Sequence, residues 1–202
     1  MLALIILFVL YMIDRAVSFL KDELNTYIAS KRVESDNVEI TALNDYTTGS
    51  AVNIPDKIGM TVVNVEEERM FRSQAPQTIN NNGTFTMANP PLKVNIYILF
   101  TAHNPLHKEA LTILSYVMQC FQVRNAFDNQ RSPQLGESIE RLMVDMYSLN
   151  FEQQNQLWAS LGAKYLPSVL YKVRMLIINE KQAGQVTPGI GQLNNMFSGG
   201  RE

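Results

Sequence analysis

The chain has 202 residues, 17 basic and 19 acidic, with 46% hydrophobic residues and one cysteine. That length supports one domain with its own core rather than two full domains, and the formal net charge of -2 excludes a long-range field that would recruit nucleic acid or an anionic membrane. A single thiol, Cys120, excludes an internal disulfide framework and a multi-thiolate zinc site.

Residues 1–13 read MLALIILFVLYMI, whose one polar side-chain group is the Tyr11 hydroxyl. As a helix they span about 20 Å, short of the roughly 30 Å hydrocarbon core of a bilayer. No basic n-region and no small-residue cleavage site mark a signal peptide. Leaving about ten large apolar side chains in water costs on the order of 20 kcal/mol, at roughly 1.5 to 3 kcal/mol each, so burial is expected. Three readings compete: a chain start at Met12, a docking segment or plug against protein, and a membrane or export signal. Docking is preferred, with Leu4, Ile6 and Leu10 as candidate contacts.

Ile13, Ala16, Val17, Leu20, Leu24, Tyr27 and Ile28 recur at three and four, predicting an amphipathic helix that ends near Lys31 and Arg32. Alternating runs at 38–43 and 58–67, parted by a loop with Gly49 and Pro55, are expected to pair as an antiparallel hairpin. The polar stretch 71–89 carries the tight-turn signal Asn82-Gly83, so an exposed loop or hairpin tip is expected. Pro90 and Pro91 open the next run, where Leu92, Val94, Ile96, Ile98 and Phe100 alternate with Lys93, Asn95, Tyr97 and Leu99. This pattern fits a central strand with one strongly apolar face.

Past Pro105, Leu106, Ala110, Ile113, Leu114, Val117, Met118 and Phe121 trace a helical stripe that should cover the sheet. A strand is expected over 139–149. Asn150 can cap a helix with Gln153 at its third position, Leu157, Trp158 and Leu161 share one face, and Gly162 ends it. Pro167 bars continuation, and the period then switches to two. Val169, Tyr171, Val173, Met175 and Ile177 share one side, Leu170, Lys172, Arg174 and Leu176 the other. Lys172 and Arg174, set among apolar residues, are candidate contacts with another chain. Gly184, Pro188, Gly189, Gly191, Gly199 and Gly200 predict a flexible arm over 181–202. The expected organisation is an extension at 1–11, one domain at 12–180 and that arm. Its fold class is α+β, a mixed, mainly antiparallel sheet with helices packed largely on one face.

Chemistry is sparse. His103 and His107 flank Pro105 without an HExxH-like acid and read as two surface residues at a turn. Ser115 lacks a nucleophile elbow, and Cys120 has no cue for an activating base. Glu66, Glu67 and Glu68 read as a solvated strand edge. Tyr171 points away from Lys172 and Arg174, so the three do not form a stacking platform for nucleic acid. No catalytic residue, no metal and no cofactor are expected, which moves weight from enzyme to assembly component.

Three stretches occur together: Pro90-Pro91-Leu92 leading to Phe100-Thr101-Ala102, a helix ending Cys120-Phe121-Gln122, and LWASLGAKYLPSVLYKVRML. They resemble the cap, or tail-terminator, proteins of phage-tail-like contractile injection systems of the antifeeding-prophage and Photorhabdus virulence cassette type. The resemblance covers about residues 12–179, with Pro90, Pro91, Phe121, Gln122, Trp158, Tyr165, Pro167 and Tyr171 as signature core positions. It implies a tail-terminator-like fold and a homo-oligomer, a hexameric ring that closes inner tube and sheath away from the baseplate. The implied partners are inner-tube and sheath subunits, and the implied location is the cytoplasm at assembly, then the particle. On this resemblance Lys172 and Arg174 become candidate subunit or sheath contacts, and the arm or an exposed domain edge a candidate for strand addition. Residues 1–13 would pack against neighbouring subunits or narrow the ring's channel. The alternative of another class is a membrane-associated or exported α+β binding protein that uses the apolar N-terminal segment.

Overall fold

Alternation along 92–103 makes one long strand, β5 (Leu92–His103), and the main sheet is built outward from it. The computed structural model describes residues 2–31, 37–45, 47–68, 77–81, 84–88, 92–177 and 187–188, with side chains described at 11–31, 37–45, 47–68 and 92–177. Antiparallel neighbours flank β5 on both edges, β2 (Lys57–Glu67) and β8 (Ser168–Ile177), so that Ile98 lies opposite Val62 on one side and Tyr171 on the other. Outside them lie β1 (Val38–Ile40) next to β2, then β7 (Ile139–Met146) and β6 (Ala126–Asp128) beyond β8. The order is β1-β2-β5-β8-β7-β6. The short β6 carried too few residues to register as a period.

The polar stretch forms a hairpin, β3 (Gln77–Asn81) with β4 (Thr84–Ala88). Asn81 pairs with Thr84, which leaves two residues for the turn, as expected. The Asn82-Gly83 signal itself lies outside the described residues, as do Pro90 and Pro91. Within the stretch read as an arm, β9 (Thr187–Pro188) pairs with β4.

The expected β1–β2 hairpin is corrected: the two strands run parallel, with Val38 opposite Ile58 and Ile40 opposite Met60. Parallel neighbours need a connection of about a dozen residues or more. The segment 41–56 supplies it by folding back on itself, Val52 N–H donating to the Leu43 carbonyl at 2.9 Å and Asn44 bridging Ala51. The first helix also anchors the start of β1, because Asn25 Oδ1 accepts from the Asn37 and Val38 amides at 2.9 and 3.0 Å.

That helix, α1 (Leu2–Ala29), is unbroken, so the apolar opening and the amphipathic stretch are one element. Its stripe of Ala16, Leu20, Leu24 and Ile28 joins Ile58, Met60, Ile96 and Ile98 in the main core. Helix α2 (His107–Val123) adds Ile113, Val117 and Phe121 on the same side. The rings of Phe100, Phe121 and Tyr171 meet there with centroids 5.0 to 5.7 Å apart. Two positions read into the α2 stripe are exposed: Leu106 precedes the first turn, and Met118 sits about 100° round the helix from Val117.

The third helix, α3 (Phe151–Leu161), covers the opposite face, where Trp158 is buried with Leu43, Leu99 and Leu170. Its ends follow the sequence reading. Asn150 and Gln153 form the reciprocal capping box, and Gly162 closes the helix at φ 62°. Replacing Phe100 by Ala is expected to lower stability by about 3 to 5 kcal/mol, and Asn150→Ala by about 1 kcal/mol. Phe151, 91% exposed, should tolerate Ala without loss. Chemical-denaturation midpoints of the three variants check this ordering.

Candidate functional site

Trp158 and its neighbours cover one end of the outer sheet face, and the remainder of that face carries polar groups in cross-strand register. Lys172 stands opposite Tyr97 on β5 and Asp145 on β7, and Arg174 opposite Asn95 and Met143. The Lys172 ammonium lies 3.7 Å from Glu66 and 3.8 Å from Glu68, and 5.7 Å from the centre of the Tyr97 ring. The Tyr97 hydroxyl donates to Glu66 at 2.7 Å, and the Asn95 amide to Glu66 and Glu68 at 3.2 and 3.0 Å. Arg174 Nε donates to Asp145 at 3.1 Å, and Tyr147 sets its ring edge against Tyr97 at 5.3 Å.

The acidic run is therefore corrected. Antiparallel pairing of β2 with β5 carries Glu66 and Glu68 over the sheet beside Lys172, not out along a solvated edge. Half-exposed pairs of this kind contribute about 0 to 1 kcal/mol each. Their main effect is to compensate the charge of Lys172 and Arg174 within the chain, so a partner on this face meets a mixed-sign, hydrogen-bonded surface. Burial first, then the bond to Glu66, raises the Tyr97 pKa, so its hydroxyl stays protonated as a donor. Sequence alone could place Lys172 and Arg174 on this side but not their carboxylates, which come from strands far along the chain.

The signature positions divide between two places. Phe121 and Tyr171 form the floor of a cleft of about 580 Å³ between the C-terminal ends of α1 and α2 and strand β7, with Gln122, Tyr27, Met118, Val123 and Met146 around it. Trp158 and Pro167 belong to the α3 corner, Trp158 buried and Pro167 half-buried before β8. Gln122 and Tyr165, read as core, are exposed. Gln122 follows Phe121 round the helix away from the sheet, and Tyr165, 60% exposed, leans on Trp158 from the loop at 5.3 Å. The cleft rim was missed by the sequence reading because Met118 was placed in the helical stripe, Met146 only within the strand over 139–149, and Val123 in neither.

His103 is half-buried, not a surface residue, and its Nε2 lies 3.0 Å from Thr101 Oγ1. Burial lowers its pKa, partly offset by Glu39. Gly59 is required beside this pair, since a Cβ there would lie 2.6 Å from Thr101 Oγ1 and 2.9 Å from the imidazole. His107 opens α2, so the two histidines do not share a helix face. Among the described residues no group of three His, Cys, Asp or Glu side chains is placed to hold a metal ion.

The family model of the Pvc16 N-terminal domain matches residues 16–192 of the chain. Among solved structures, the tube-terminating cap of the anti-feeding prophage is 18% identical, with a TM-score of 0.53 over 78% of this chain and 53% of that one. The sheath/tube terminator of an extracellular contractile injection system, PVC, in its extended state is 13% identical, with a TM-score of 0.54 over 89% of this chain and 63% of that one. The chain thus spans 53% and 63% of the solved chains it matches, and what it shares with them is the fold. That fold is the expected one: α+β, a mixed, mainly antiparallel sheet with helices packed on it, tail-terminator-like. Comparison with curated proteins returned no match.

Two acids beneath the cleft give a pH dependence. Burial pushes the Cys120 thiol and the Tyr171 phenol up to about 12, from ordinary values of 9.0 and 10.0. Between those limits the folded chain keeps protons that the unfolded chain has released, so stability is fully present below about pH 9 and falls as pH rises through the window. Denaturation midpoints should decline above about pH 9, and Cys120→Ala should remove the earliest part of the decline.

Proposed function

The chain belongs to the Pvc16 N-terminal domain family, and from this we propose that it is a structural cap, or tail terminator, of a contractile injection system: a hexameric ring that ends the inner tube and sheath and stops their polymerisation. The observation that carries this reading is the agreement of fold over 78% and 89% of the chain with two proteins that terminate such tubes, joined to the family match. Its partners on this reading are copies of itself and the inner-tube and sheath subunits, its role is non-catalytic, and it resides in the particle after cytoplasmic assembly.

A terminator works by matching a growing end on one surface while presenting no copy of that end on the other. The compensated face around Lys172 and Arg174 suits the first task, since mixed charges in fixed register discriminate partners more than they add affinity. A strand-accepting edge is the second element. β1 covers only Ile58, Gly59 and Met60 of β2, and among the described residues no strand pairs with 61–66 on the side away from β5. Val62 and Val65 are exposed along that half, which suits an added strand from a sheath subunit. Among the described residues no helix is long and apolar enough to cross a membrane.

Negative-stain microscopy of the purified chain is expected to show small six-fold rings. Particles assembled without it should have tubes and sheaths of uncontrolled length, and a narrow, unchanged length distribution would overturn the proposal. Lys172→Glu with Arg174→Glu is expected to leave the ring intact but abolish its co-sedimentation with tube or sheath.

A further inference from the structure

We propose that the apolar first turns of α1, residues 2–10, dock into the cleft between α1, α2 and β7 of a second copy of this chain. The contact is head to tail and repeats from copy to copy. The proposal deepens the ring reading of the previous section and rests on it for closure.

One half of the fit is the segment LALIILFVL, which is helical throughout. It has no polar residue at any angle round the helix, and a helix apolar on all sides needs cover on all sides, which one packed layer does not provide. A polar side begins only at Tyr11 and Asp14, both exposed. The segment and the apolar residues after it are too short to cross a bilayer, so protein is the occupant that fits.

The other half is the cleft of about 580 Å³. Its floor is Phe121 and Tyr171, its rim the exposed Met118, Val123 and Met146, and Tyr27 closes one end. The one acid that lines it, Asp145, is paired with Arg174, so the cleft suits an uncharged apolar insert. Methionines on the rim adapt to the shape of what enters, and a helix laid in such a groove is held by residues spaced three and four apart.

These two surfaces cannot meet within one molecule. Tyr27 and the apolar segment belong to the same continuous helix, which puts Leu10 about 26 Å and Ile6 about 32 Å from the cleft along the axis. Each copy therefore offers a plug at one end of α1 and a socket at the other. Such unlike surfaces make heterologous contacts, which close into a ring when the rotation per copy divides a full turn and run on into a filament otherwise.

Mixing two variants of the full chain tests this by light scattering. A plug variant carries Ile6→Ser and Leu10→Ser. A socket variant carries Val123→Asp, at a position 76% exposed, where folding should be unaffected. Each alone is expected to fall to the 22.9 kDa monomer. An equimolar mixture is expected to give heterodimers and nothing larger, because one intact plug and one intact socket remain. A socket variant that assembles like the wild type while the plug variant dissociates would mean that the helices pack on one another, and would overturn the docking. So would a plug variant that keeps its ring but no longer floats with phosphatidylglycerol vesicles. Rings persisting in both variants would overturn the plug and socket alone, whereas a monomeric wild type would overturn the ring reading as well. A double-cysteine variant, Ile6→Cys with Val123→Cys, keeps both positions apolar and introduces no charge. A bifunctional maleimide should link it into a ladder, with the buried native Cys120 silent, and monomer alone would overturn the contact.

Discussion

A strand buried on both faces must satisfy its backbone through two neighbouring strands and its side chains through two separate layers, and β5 meets both demands. On the inner face Ile96, Ile98 and Phe100 join the core made with α1 and α2, while on the outer face Leu99 packs with Trp158 of α3. The remaining outer positions are polar. Asn95 is only 2% exposed, so its amide must be bonded or the burial is costly. Glu66 and Glu68 accept from it, and Lys172 then balances the two carboxylates. The charged face is thus a consequence of centring the sheet on this strand, and it lies ready beside the apolar corner that α3 makes.

The same economy of parts appears in α1. Its later turns cover the inner face, its C-terminal end walls the cleft, and Asn25 sets the start of β1. Arg15 fastens its middle to the loop before β7, donating to the Gln134 carbonyl at 3.1 Å beside Gly136, whose φ of 76° suits glycine alone. Those contacts hold the helix from Arg15 to its C-terminal end, and on the proposed contact the unbroken helix keeps the plug away from its own socket.

Local features were legible in the residues. The capping box at Asn150, the stop at Gly162, the two-residue periods of β5 and β8 and the stripe of α1 all arise from neighbours within a few positions, where backbone sterics and hydrogen bonds act directly. Errors fell where a choice depended on distant chain. The β1–β2 pair was read as a hairpin because proximity in sequence favours antiparallel return, yet the self-contained fold of 41–56 and the tie to Asn25 make the parallel arrangement. Met118 fitted an apolar stripe by spacing, but it lies about 100° round the helix from Val117 and so turns away from the sheet.

By itself the sequence determined most element types, the ends of α3 and the alternating faces of β5 and β8, because periodicity and capping are short-range physics, and its signature residues resemble those of terminator proteins. Only the tertiary structure decided the strand order, the direction of β1, the carboxylates that compensate Lys172 and Arg174, and the cleft over Phe121 and Tyr171. Each of those joins residues that are close in space but far apart along the chain. Which distant groups meet depends on how whole layers pack, and no local spacing of residues records it.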